Sequence, residues 1–192
     1  MRMCIVLLCF SLGLAGATAV AAEWKVGDGP LKTPWTDKVD PQHVHPEYPR
    51  PQMTRADWQS LNGLWQFAAA KENEQPPVGR DLSEQILVPF PVESALSGIM
   101  RREERVWYRH TFDVPEDWSG QRVLMHFGAV DWETTVWVNG TKLGEHRGGY
   151  DPFSFDITDA LKGKGPQESV VGVWDPSDEG TQPRGKQVHK PR

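Results

Sequence analysis

The sequence predicts an all-β fold, an antiparallel β-sandwich or barrel. Short runs rich in Val, Trp, Tyr, Phe and Thr recur along the chain with turn residues between them, and apolar and polar positions alternate within the runs. No strand-helix-strand rhythm and no internal repeat is present, which sets parallel α/β folds aside.

The runs, in order, are Leu61–Ala68, Gln85–Pro89, Arg105–Val114, Gln121–Phe127, Thr134–Asn139, Thr141–His146, Phe153–Ile157 and Glu168–Trp174. In "RVWYRHTFDV" the alternation puts Val106, Tyr108, His110 and Phe112 on one face and Trp107, Arg109 and Thr111 on the other. "RVLMHF" repeats the pattern, with Val123, Met125 and Phe127 against Leu124 and His126. Asn139-Gly140 suits a two-residue type I′ turn, which needs positive φ at both positions. That turn pairs Val138 with Thr141, Trp137 with Lys142 and Val136 with Leu143, so Val136, Val138 and Leu143 share a face. The same residues, Asn139-Gly140-Thr141, also spell a glycosylation sequon, although the turn already accounts for Asn and Gly. The one helix signal is short: Thr158 as N-cap before Asp159-Ala160-Leu161, ending near Gly163.

The flanks differ from this core. Arg2, the apolar block Ile5 to Leu14 and the small residues Ala17-Thr18-Ala19 or Ala19-Val20-Ala21 read as a cleavable export signal over residues 1–22. Secretion or a periplasmic location follows as the expectation. Both cysteines, Cys4 and Cys9, fall inside that segment, so the mature chain must rest on an apolar core and not on disulfides. Residues 23–55, broken by Pro30, Pro34, Pro41, Pro46, Pro49 and Pro51, read as an extended lead-in to a sandwich over 56–192. Setting Arg2 aside leaves 20 basic residues against 26 acidic ones, with no basic stripe, which argues against a nucleic-acid partner. Beyond the signal no second apolar run reaches membrane length, so no membrane partner is expected after cleavage.

Several phrases together resemble the N-terminal sugar-binding domain of family 2 glycoside hydrolases, the β-galactosidase and β-glucuronidase group. They are "PEYPRPQMTRADWQSLNGLWQFA", "ILVPFPVESALSGI", "VWYRHTFDVP", "GAVDWETTVWVNGTKLGEHRGGYDPFSFDITDAL" and "VVGVWDPSDEGTQPRGKQ", in matching order and spacing from about Pro46 to Gln187. The resemblance implies a galactose-binding-like jelly roll that precedes an immunoglobulin-like sandwich and a TIM barrel. In that family the barrel supplies two glutamates for retaining hydrolysis of a β-glycosidic bond, held roughly 5–5.5 Å apart. A TIM barrel takes roughly 250 residues, more than this chain has. The lone Asn-Glu pair, Asn73-Glu74, lies in a polar segment and reads as a solvated loop, so no catalytic residue is carried over and no cofactor is expected.

From Asp175 to Arg192 the only aliphatic residue is Val188. A sandwich normally covers its edges, so the expectation is an incomplete sandwich that lacks its final strand and stops before the barrel. By position, the segment that the family lends to the edge of its pocket runs from Asp175 to Gln187. Arg184, Lys186 and Gln187 could donate to sugar hydroxyls, and Asp175 or Asp178 could accept from them. The expected partners are carbohydrate and the remaining domains of the same polypeptide.

Among nine tryptophans, Trp65, Trp107, Trp137 and Trp174 lie in strands where large aromatics fill cores, and Trp132 and Trp137 are the candidates for exposed sugar-stacking rings. His43 and His45 share one side of an extended segment, but no third ligand has fitting spacing, so no metal site is expected. His146, beside Gly148-Gly149-Tyr150, is expected to pin its loop through hydrogen bonds. Glu93 and the Arg101–Arg105 cluster read as an exposed charged loop. Two other functional classes fit the same pattern: a free-standing carbohydrate-binding module, which needs an exposed aromatic platform, and a protein-interaction sandwich.

Overall fold

The computed structural model describes residues 23–47 and 49–177. Among the described residues eight strands form two antiparallel sheets: β1 (Gly63–Ala69), β2 (Glu84–Val88), β3 (Arg105–Phe112), β4 (Leu124–Phe127), β5 (Glu133–Val138), β6 (Thr141–Arg147), β7 (Phe153–Asp156) and β8 (Gln167–Trp174). The larger sheet has six strands in the order β2-β1-β3-β8-β5-β6, and β4 pairs with β7 in the smaller one. Among the described residues there is no α-helix, only five single 3-10 turns.

Period-two alternation in the sequence becomes two distinct faces. Trp65, Phe67, Ile86, Val106, Phe112, Val136, Val138 and Val171 of the large sheet enclose one core with Val123, Met125 and Ile157 from the side of the small sheet. Phe67, Ile86, Val136 and Val138 are wholly buried there, each worth about 1.5–3 kcal/mol of burial. Phe127, Phe153 and Phe155 close the seam, with Phe127 and Phe153 stacked at 4.8 Å. On the outer face Trp107, Leu82 and Val170 form a second cluster with Trp137 against it. Trp107 lies flat over Gly172, where a Cβ would come within 2.4 Å of the ring.

The loop between β1 and β2 is held on that outer face by charge. Glu168 accepts from Arg109 Nε at 2.6 Å and from the backbone N–H of Gly79 at 2.9 Å, while Arg109 also donates to Gln66 and Asp81. Gln66 in turn accepts from the backbone N–H of Leu82 at 3.0 Å.

The β5–β6 turn forms at Asn139-Gly140, with φ of 49° and 83° as a type I′ turn requires. The register beyond it differs from the expected one. Val138 pairs with Thr141 and Trp137 with Lys142, but Val136 pairs with Gly144, leaving Leu143 as the extra residue of a bulge. Phe155 explains the slip: it fills the space beside Gly144, where a Cβ would sit 2.7 Å from its ring. Leu143 still packs against the inner core beside Val136 and Val138.

Thr158 does not cap a helix. Residues Thr158–Ala160 make one 3-10 turn, and the Thr158 hydroxyl instead accepts from Val123 N–H and donates to Asp156. The lead-in lies on the sandwich. Trp24 donates its indole N–H to the carbonyls of Leu96 and Ser97 at 3.2 and 3.1 Å, Thr36 and Val44 are buried, and just past the lead-in Trp58 stacks on His126 of β4 at 5.7 Å.

Candidate functional site

The candidate site lies where three connections meet at the end of β8: the segment before β3, the β4–β5 loop and the β6–β7 loop. Asp175, the first residue past β8, is fixed from both sides. Its N–H donates to Glu104 carbonyl at 2.8 Å, and its carboxylate accepts from Ser177 N–H at 2.6 Å. Trp174, its neighbour, carries the Arg105 guanidinium over its ring at 4.7 Å, a cation-π contact that keeps both groups at the sheet end.

Asp131 faces the same corner from the β4–β5 loop. Gly149 approaches it so closely that a Cβ would meet its carboxyl at 2.5 Å, so the absence of a side chain at 149 is what admits Asp131. Partial burial, and secondarily the negative charge of Asp175, raise the Asp131 pKa above the usual carboxylate range. The loop is tied to β6 by Gly148 N–H donating to Trp132 carbonyl at 2.9 Å and by the Arg147 to Glu133 ion pair at 2.7 Å. The Asp131-Trp132 peptide is cis. Tyr150, 74% exposed, stands at the tip. Beside this corner an open depression of about 530 Å³ is lined by Ala70 and Arg102 through Arg105.

Chemically this rim offers carboxylate acceptors, guanidinium donors and a phenol, the groups that hold sugar hydroxyls. Asp131 and Asp175 stand at an open rim, not at the bottom of an enclosed pocket as the carboxyl pair of a glycosidase does. Of the residues singled out from sequence, Asp175 is at this corner, whereas Asp178, Arg184, Lys186 and Gln187 lie outside the described residues. Asp131, Tyr150 and the Arg105-Trp174 stack were missed. Only the Asp-Trp step and the paired glycines hinted at them, and neither reveals that two distant loops meet. Trp132 and Trp137 are both half-buried, and Trp137 packs edge-on against Trp107 at 5.7 Å, so its ring is part of the outer cluster and not a platform.

Two further expectations are corrected. His146 does not pin its loop through its ring: it stacks on Phe153 at 4.2 Å, and its buried Nε2 has no hydrogen-bond partner among the described residues. The Arg101–Arg105 segment is not a freely exposed loop, because Arg101 grips Glu84 of β2 through two bonds of 2.8 and 2.6 Å and Glu103 through a third. His43 and His45 are turned to separate carboxylates, Asp40 at 2.9 Å and Glu47 at 3.7 Å. Among the described residues no group of three potential metal ligands occurs, and no helix is long and apolar enough to cross a membrane.

Comparison with known proteins agrees with this architecture. The family described as "Glycosyl hydrolases family 2, sugar binding domain" matches residues 79–181. A β-glucuronidase of Paenibacillus borealis is 34% identical over 122 residues, covering 58% of this chain and 20% of the relative. A β-galactosidase of Thermoanaerobacter pseudethanolicus is 46% identical over 67 residues, covering 35% of this chain and 9% of the relative. Among solved structures, the Faecalibacterium prausnitzii β-glucuronidase superposes with a TM-score of 0.52 at 32% identity, over 60% of this chain and 20% of that one. The chain thus spans about a fifth of the length of these two β-glucuronidases. This protein belongs to glycosyl hydrolase family 2, and residues 79–181 match the sugar-binding domain of that family.

Proposed function

We propose that this chain is the N-terminal, non-catalytic support of a hydrolase acting on β-linked O-glycosides, and that it is exported to the cell exterior or periplasm. The observation that carries the reading is the pairing of a sandwich with an open corner: Asp175, just past β8, and Asp131, in the β4–β5 loop, are rim groups, and among the described residues no enclosed pair of carboxyls lies beneath them. Such a surface can position hydroxyls of a sugar held mainly by another domain. It does not provide both a proton donor and a nucleophile around one anomeric carbon. Relatives named β-glucuronidase and β-galactosidase support substrates of the β-glycoside class, and the apolar segment of residues 5–14 supports export.

A graft tests the role. This chain would replace the matching N-terminal fifth of the P. borealis β-glucuronidase, and the remainder of that enzyme would be made alone. The reading expects a soluble, active chimera and an inactive or insoluble remainder. A remainder as active as the chimera would remove the supporting role.

A further inference from the structure

The sequence carries an Asn-Gly step at the tip of the β5–β6 hairpin, and Asn-Gly is the dipeptide most prone to deamidation. The backbone nitrogen of the glycine attacks the side-chain carbonyl carbon of the asparagine, the carboxamide nitrogen leaves as ammonia, and water then opens the cyclic imide to aspartate or isoaspartate. Glycine permits this because no side chain hinders its nitrogen. The reaction needs the carboxamide of Asn139 to swing onto Gly140 N and then release its own nitrogen.

In the folded protein that carboxamide is held at both ends. Nδ2 donates to Ala160 carbonyl at 2.8 Å and to Gln167 Oε1 at 2.7 Å, and Oδ1 accepts from the backbone N–H of Glu168 at 2.9 Å. The backbone N–H of Asn139 donates to Glu168 carbonyl at 2.8 Å. Gln167, itself 2% exposed, is fixed in turn by Lys162 and Gly165. The hairpin tip is therefore clamped to the β7–β8 connection through one side chain.

We propose that Asn139 is a modification site gated by the fold: deamidation proceeds only when the hairpin tip releases the β7–β8 connection, and the product obstructs its return. The obstruction follows from the acceptors around it. An aspartate at 139 is acceptor-only at neutral pH, and it would face the Ala160 carbonyl and Gln167 Oε1, two acceptors that it cannot satisfy. An isoaspartate would also lengthen the backbone of a turn that has two residues.

The test follows deamidation of the full chain by peptide mapping at mildly alkaline pH, in native buffer and in concentrated urea. Asn62-Gly63, the other Asn-Gly step, serves as an internal clock in urea, where both sites convert at comparable rates. The proposal expects Asn139 to convert at least roughly tenfold more slowly in native buffer than in urea, as expected for a site that reacts through local opening. Gln167→Ala, which removes one of the two acceptors, should raise the native rate several-fold and leave the urea rate unchanged. If wild-type Asn139 converts as fast in native buffer as in urea, the gate does not exist, whatever the variant does.

Discussion

Arg109 of β3 and Glu168 of β8 meet at 2.6 Å on the outer face of the large sheet, with side chains only 12% and 10% exposed. Two opposite charges taken so far out of water are held by mutual attraction and by the further bonds to Gly79, Gln66 and Asp81. Removing one partner strands the other. Glu168→Ala should destabilise the chain by about 3–5 kcal/mol, whereas replacing both residues by apolar ones of similar volume should cost far less. Urea midpoints of the single and double variants check this, and equal losses in both would contradict it.

Gly172 should tolerate no side chain. A Cβ there would lie 2.4 Å from the Trp107 ring, and Trp107 cannot retreat because Trp137, Leu82 and Val170 pack around it. Gly172→Ala is expected to lose about 1–3 kcal/mol through overpacking. Gly163→Ala, where nothing lies within 4 Å, is the control, and thermal unfolding of the two variants distinguishes them.

His110 should make stability fall with acid. Burial holds its imidazole below the ordinary 6.5, partly opposed by a hydrogen bond with the Leu64 backbone. The unfolded chain therefore takes up the proton first, so the contribution is present above about pH 6.5 and is lost as pH drops through the folded pKa. His126 adds a decline of the same sign, through burial and then through Arg55. His110→Phe, which keeps a ring against Trp65, should flatten the urea midpoint between neutral pH and pH 5 relative to wild type.

Asp131 should act in the opposite sense. Its folded pKa is raised above 3.8 by partial burial and then by Asp175, so the folded state holds the proton longer and stability declines as pH rises from 3.8 through the folded value. Asp131→Asn removes that charge. The variant should be more stable than wild type at neutral pH and lose its advantage in acid, as midpoints at both pH values would show.

The eight strands were legible because each half-buried strand writes its pattern locally, as Val123 and Met125 against Leu124 and His126 illustrate. The Asn139-Gly140 turn was legible for a similar reason: few residues adopt two successive positive φ angles. Register was not, since the bulge at Leu143 answers to Phe155 from the other sheet, a contact that no local pattern encodes. The same limit hid most of the site. Asp175 could be placed by its motif, but Asp131 reaches that corner through a loop more than forty positions earlier, and Arg101 looked like a surface charge because its partner Glu84 lies on another strand. Thr158 shows a competing local choice, in which its hydroxyl serves the Val123 N–H across the sheet instead of a helix end.

The central claim is that these residues support a reaction centre and do not form one. Hydrolysis of nitrophenyl β-glucuronides and β-galactosides by the purified full chain tests it most directly. The account predicts release of nitrophenol no faster than in a protein-free blank, and saturable turnover at the rates of a working glycosidase would contradict it.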